Sequence, residues 1–148
     1  MHGGRRLRRW ERAVGYGAVG VAAEVAFTGA RGGLLRRDPT LEGRSYVWML
    51  PIYGISAFLF EPAHAVLRGR PWWQRAAAYS AGIMSVEYAT GMALRRGIGA
   101  VPWDYTGHTR FALPGGATRL DYAPLWGVAG LALEHLHDTM QRISVGER

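Results

Sequence analysis

The chain of 148 residues contains no cysteine, so disulfides, zinc–thiolate sites and thiol nucleophiles are excluded. It contains no lysine either, since all 18 of its basic residues are arginine. A phosphate-cradling P-loop requires its lysine, so this polypeptide does not hydrolyse ATP by that route. Polar residues are sparse inside four apolar segments, at about 13–30, 46–67, 76–94 and 122–139. Within them the notable interruptions are Glu24, Glu61, Glu87 and Glu134, joined by His64 and His137.

The formal charge of +7 would suit a nucleic-acid binder. The arginines, however, lie at the N-terminus and between the apolar segments, where a membrane protein keeps them. No nucleic-acid partner is expected on that pattern. At about 1.5 Å per residue, each segment crosses most or all of a hydrocarbon core of about 30 Å. Small residues recur along them (Ala13/Gly17, Ala22/Ala26/Ala30, Ala78/Gly82, Ala123/Gly127), as close helix packing in lipid requires. Trp10, Trp72 and Trp73 fall near one set of boundaries and Trp48, Trp103 and Trp126 near the other, an aromatic-belt distribution. The alternative is a soluble four-helix bundle, whose helices would show an apolar stripe rather than apolar character all round.

The N-terminus, the 68–75 connection and the C-terminus hold ten arginines, against eight in the 31–44 and 95–121 connections. That bias, led by Arg5, Arg6, Arg8, Arg9 and Arg12, predicts cytoplasmic N- and C-termini in the cell membrane. An Arg-rich start before segment 13–30 also fits a signal peptide. Glu24 interrupts that apolar run, and an internal repeat needs the first helix, so the segment is read as retained.

The repeat is the most informative feature. Pro51, Gly54, Glu61 and His64 align without a gap on Pro124, Gly127, Glu134 and His137, an offset of 73. Upstream, Arg12, Ala13, Tyr16, Ala18 and Glu24 align on Arg75, Ala76, Tyr79, Ala81 and Glu87, an offset of 63. The second copy therefore carries ten more residues in its internal loop. The expected fold is all-α: one membrane-spanning antiparallel four-helix bundle built from two helical hairpins, about 12–68 and 75–141.

Counting from Arg12 puts Glu24 about 18 Å along helix 1. Counting from Pro51, a favoured first-turn residue, puts Glu61 about 15 Å from the opposite side. These depths sum to about the core thickness, so all four acids are expected level at mid-membrane, with Pro62 bending the backbone beside Glu61. One Glu from each of two helices, plus Glu-x-x-His from each of two others, is the donor set of di-iron and di-manganese bundles. Glu24, Glu61, His64, Glu87, Glu134 and His137 reproduce it in order. Two divalent ions, iron or manganese, would neutralise the four carboxylates where no buried arginine is expected. Such a centre would make the protein a redox enzyme acting on a lipid-soluble substrate. Two other readings stay open: protonated acids bonded to one another, with pKa values raised by burial, and a proton or cation relay in a permease-like or accessory transporter subunit. Four helices leave little room for a substrate path, so transport would call for a homodimer or other membrane subunits.

The loop 95–121 carries Pro102, Trp103, Asp104 and Tyr105, and Asp121 and Tyr122 precede the last segment. Aspartate beside interfacial aromatics caps a helix or orients a loop; a lid or an outer shell for the acids is the functional alternative. His108 has no partner at metal-ligand spacing.

Glu24-Val25-Ala26-Phe27-Thr28, the run from Ser45 through Trp48 and Pro51 to Gly54, and Glu87-Tyr88-Ala89-Thr90-Gly91 together resemble a small membrane family. Pro102-Trp103-Asp104-Tyr105 and Leu125-Trp126-Gly127 with Glu134 continue the resemblance, which covers about residues 12–140. The family is labelled "putative ABC-transporter type IV". The resemblance implies a multi-pass membrane protein with Glu24, Glu61, Glu87, Trp103, Asp104, Tyr105 and Glu134 as motif positions. It implies no particular chemistry.

Overall fold

A computed structural model describes residues 5–145. The four apolar segments become four α-helices: α1 (Arg9–Arg36), α2 (Met49–Leu67), α3 (Trp72–Ile98) and α4 (Ala123–Arg142). The all-α expectation holds apart from a two-residue antiparallel pairing of Arg5–Arg6 with Ser144–Val145. α1 and α3 run past their apolar segments at both ends, and the flanking arginines there are themselves good helix formers. Glu11 starts α1 by reaching back to the Arg8 backbone N–H (2.6 Å) while Arg5 grips its carboxylate. Gly99, at φ +79°, ends α3 in the left-handed conformation that glycine adopts without steric cost. The second helix begins at Met49, two residues ahead of the expected Pro51, and continues through Pro62.

The residues form two compact units. One runs to Pro62 and takes back the residues from Met140; the other is Ala63–Thr139. The division falls within α2, so the second unit begins just before His64.

Inside the first unit α1 and the larger part of α2 run antiparallel. A Cβ on Gly54 would lie 3.3 Å from the Ala13 carbonyl oxygen, and one on Gly17 would lie 2.8 Å from that of Leu50. Tyr16 meets Phe60 with ring centroids 6.4 Å apart. The second unit repeats this register between α3 and α4. A Cβ on Gly127 would lie 3.3 Å from the Ala76 carbonyl oxygen, and the Ser80 hydroxyl donates to the Ala123 carbonyl (2.8 Å). Small residues at these crossings let the backbones approach.

In each unit the first helix is the longer: 28 residues against 19 in α1 and α2, and 27 against 20 in α3 and α4. The connecting loop folds back along the overhang. A Cβ on Gly43 would come 2.1 Å from the Val25 carbonyl oxygen. Gly116, at φ +68°, leaves room for the Asp104 carboxylate, which would meet its Cβ at 1.8 Å. Three of the six expected interfacial tryptophans are broadly exposed on helix starts: Trp10, Trp72 and Trp73. Trp48 is 45% exposed. Trp103 departs from the belt, being buried with its indole N–H on the Ala117 carbonyl (2.8 Å). A loop folded against a helix needs its polar backbone groups satisfied, and the indole does this. Trp103→Phe is expected to cost about 1–3 kcal/mol, the penalty for stranding a buried acceptor. Thermal unfolding of the purified variant measures it, and an unchanged midpoint would count against the assignment.

Candidate functional site

The four glutamates occur in two kinds of environment, and each kind appears once in each unit. Glu61 and Glu134 face guanidinium groups. Arg12 grips Glu61 through both carboxylate oxygens, Nε to Oε1 at 2.7 Å and Nη2 to Oε2 at 2.9 Å. Arg9 adds a bond at 3.2 Å from a more exposed position. Glu61 and Arg12 side chains are only 8% and 12% exposed. In the second unit Arg75 donates to Glu134 Oε2 while the Tyr79 hydroxyl donates to Oε1 (2.7 Å). Among the described residues the buried Arg75 Nε has no hydrogen-bond partner. Arg12 and Arg75 are equivalent positions of the repeat, as are Glu61 and Glu134.

Glu24 and Glu87 take hydroxyl donors. Ser45 Oγ lies 2.7 Å and the Tyr53 hydroxyl 3.2 Å from Glu24 Oε2. Thr118 Oγ1 lies 2.5 Å from Glu87 Oε2, and the Tyr105 hydroxyl 3.1 Å from Oε1. Both acids sit fifteen residues after the first residue of their helix, Arg9 or Trp72. In both units one hydroxyl comes from the loop that folds back along the long helix. The phenols come from different places. Tyr53 stands on α2, whereas its repeat equivalent is Trp126, and Tyr105, from a loop ten residues longer than its counterpart, supplies the missing phenol.

This arrangement corrects two expectations. Arginine is available at the acids: Arg12 and Arg75, placed at segment edges by sequence, are half-buried and supply charge that had been assigned to metal ions. Glu24 and Glu61 are also not level. Arg12 pairs with Glu61, so Glu24, twelve residues on, lies about 18 Å further along α1. Counting depth from both helix starts assumed helices of equal length. The overhang of α1 beyond α2 breaks that assumption.

The loop motif pins Glu87. Tyr105 donates its N–H to the Gly116 carbonyl (2.9 Å), holding its phenol toward the acid. Burial, and then the Glu87 charge, push the Tyr105 phenol above its ordinary range, so it stays a proton donor. Asp104 is exposed and held below the usual carboxylate range by the Thr106 hydroxyl and N–H. Asp121 forms a two-point ion pair with Arg119, whose guanidinium lies 4.2 Å from the Tyr122 ring. Tyr122 meets Tyr105 edge-on at 6.0 Å. Tyr105 thus acts directly on an acid, while Trp103, Asp104, Asp121 and Tyr122 shape the loop. His108 is exposed, as expected.

His64 and His137 come together in the second unit with ring centroids 5.3 Å apart. His64 Nδ1 lies 3.0 Å from the Tyr79 hydroxyl. Ser45 and Thr118 were missed by the sequence reading. Carrying the offset of 73 back past Pro51 finds them, since 45 maps onto 118 and Gly43 onto Gly116.

The family described as "Putative ABC-transporter type IV" matches the chain over residues 14–145. No solved structure matches it.

Proposed function

The chain belongs to the putative ABC-transporter type IV family, and from that premise we propose that it is a multi-pass, permease-like membrane subunit that exchanges protons at Glu24 and Glu87. One observation carries this reading: each unit holds an acid midway along its long helix with hydroxyl donors, one of them from a folded-back loop. A hydroxyl both donates and accepts, so a carboxyl facing it can gain a proton and keep its hydrogen bonds by turning the O–H around. A guanidinium only donates. Protonating Glu61 or Glu134 would strand that donor, so these two pairs act as fixed locks between helices.

Lipid as the surrounding medium is supported by α1 and α2, both long and apolar enough to cross a membrane. Only 17% and 22% of their apolar stretches are buried, unlike core helices of soluble proteins. Val14, Val19 and Phe27 on α1, and Ile55, Phe58 and Leu59 on α2, face outward. The spans of α3 and α4 rest on length and on the repeat, because polar residues dilute their apolar character. Loop backbone at membrane depth is tolerated where it is buried in protein or lines a cavity, and the 116–119 stretch is buried. With no lysine for a P-loop, nucleotide hydrolysis is assigned to a partner subunit. The arginine bias led by Arg5, Arg6, Arg8, Arg9 and Arg12 would put the N- and C-termini on the cytoplasmic side.

The full chain in proteoliposomes carrying an internal pH dye should pass protons under an imposed potential. Glu24→Gln with Glu87→Gln should reduce that flux to the level of empty vesicles without lowering the unfolding midpoint. Wild-type flux in the double variant would refute the assignment.

A further inference from the structure

The two histidines gathered in the second unit have a third companion that the sequence motif does not include. His64 on α2, with His137 and Asp138 on α4, offer one ligand atom each, and these atoms lie within 4.8 Å of one another. The histidines are buried and Asp138 is partly exposed. We propose that His64, His137 and Asp138 form a site for a single zinc-class divalent cation. The site lies within the second unit and is independent of the reading given to Glu24 and Glu87.

Three features of the geometry support it. The first is the tautomer of His64. The Tyr79 hydroxyl donates to Glu134 Oε1 (2.7 Å), so its oxygen accepts from His64 Nδ1–H (3.0 Å). That leaves the lone pair on Nε2, the nitrogen 3.9 Å from Asp138 Oδ1. The second is the outer shell. A ligating histidine ordinarily gives its other N–H to an acceptor that fixes the ring and raises its basicity; Tyr79, backed by Glu134 and Arg75, is such an acceptor. The third is that a cationic group already bridges two of the three ligands. Arg68 Nη2 lies 3.1 Å from His64 Nε2 and 2.7 Å from Asp138 Oδ1. Its side chain is 61% exposed, so it can swing into solvent and give way to an ion.

Two imidazoles and one carboxylate match a three-ligand zinc site whose fourth position holds water. Imidazole donors favour zinc, nickel or copper over magnesium or calcium. Such an ion would clamp the C-terminal end of α2 to α4. The four glutamates of the sequence-based di-metal set are not required.

Titration of the detergent-purified full chain with Zn²⁺ by calorimetry tests the proposal, read beside the unfolding midpoint. The expected result is one ion per chain and a midpoint that rises with Zn²⁺ concentration, since the ion binds only the folded form. Arg68→Ala should tighten binding about two- to fivefold by removing the competing cation, a gain that a merely structural cluster would not show. Tyr79→Phe should weaken it about tenfold through the outer shell. Asp138→Asn, at a partly exposed position, should abolish stoichiometric binding while the chain stays folded. No stoichiometric binding in both the wild type and Arg68→Ala would overturn the site, as would undiminished binding in Asp138→Asn.

Discussion

Glu61→Ala destabilises the first unit by about 3–5 kcal/mol, the cost of removing one partner from a buried ion pair. The reason is the Arg12 guanidinium, 12% exposed and gripping both oxygens of an acid that is 8% exposed. Without Glu61 that charge is left in a poorly solvated position between α1 and α2. Arg12→Ala should cost a similar amount by stranding the carboxylate. The double variant should cost less than the sum of the two, because neither charge is then left behind. Glu134→Ala should fall toward the lower end of the range. Arg75 is 22% exposed and reaches water more easily, and it makes fewer bonds to its acid. Denaturant unfolding in detergent micelles provides the cycle. A Glu61→Ala variant within about 1 kcal/mol of wild type would mean that the pair behaves like an exposed one.

The second large effect is expected at the loop glycines Gly43 and Gly116. Gly116→Ala places a methyl group in a left-handed conformation, costing about 1–2 kcal/mol, and drives it into the Asp104 carboxylate. Gly43→Ala brings a Cβ 2.1 Å from the Val25 carbonyl oxygen. That contact is with helix backbone, which cannot turn aside, so the loop must move; overpacking of this kind costs about 1–3 kcal/mol. In each case the loop carries the hydroxyl bound to the mid-helix acid, Ser45 for Glu24 and Thr118 for Glu87. Proton flux in vesicles should therefore fall along with stability in Gly43→Ala and Gly116→Ala. Ser45→Ala removes only the hydroxyl and should lower flux while the unfolding midpoint moves little. If both glycine variants retain wild-type flux, the folded-back loops are not part of the proton path.

Much of this was legible in the residues. The duplication is written in the two offsets, and within each unit a like crossing, Gly54 with Ala13 and Gly127 with Ala76, accords with it. It also marked Arg12 and Arg75 as equivalent, without saying where their side chains turn. An arginine at the edge of an apolar segment looks the same in sequence whether it reaches outward to water or inward to a carboxylate. The depth of the acids was misjudged for a related reason. Hydropathy marks where a helix is apolar, not where it ends, and the arginine-rich ends of α1 extend the helix well past its apolar stretch.

What the sequence determined by itself was the number of helices, their pairing into two like hairpins, and the identity of the four acids. Periodicity, small residues and repeated motifs are local properties, and they survive without coordinates. What only the tertiary structure decided was the division of those acids into two with arginine partners and two with hydroxyl partners. That division depends on which residue of a long helix lies opposite which residue of a shorter one, and on a loop folding back beside the overhang. Tyr105 shows the same dependence: the longer second loop supplies the phenol that Trp126 cannot, a substitution across space that no alignment of the two repeats reveals.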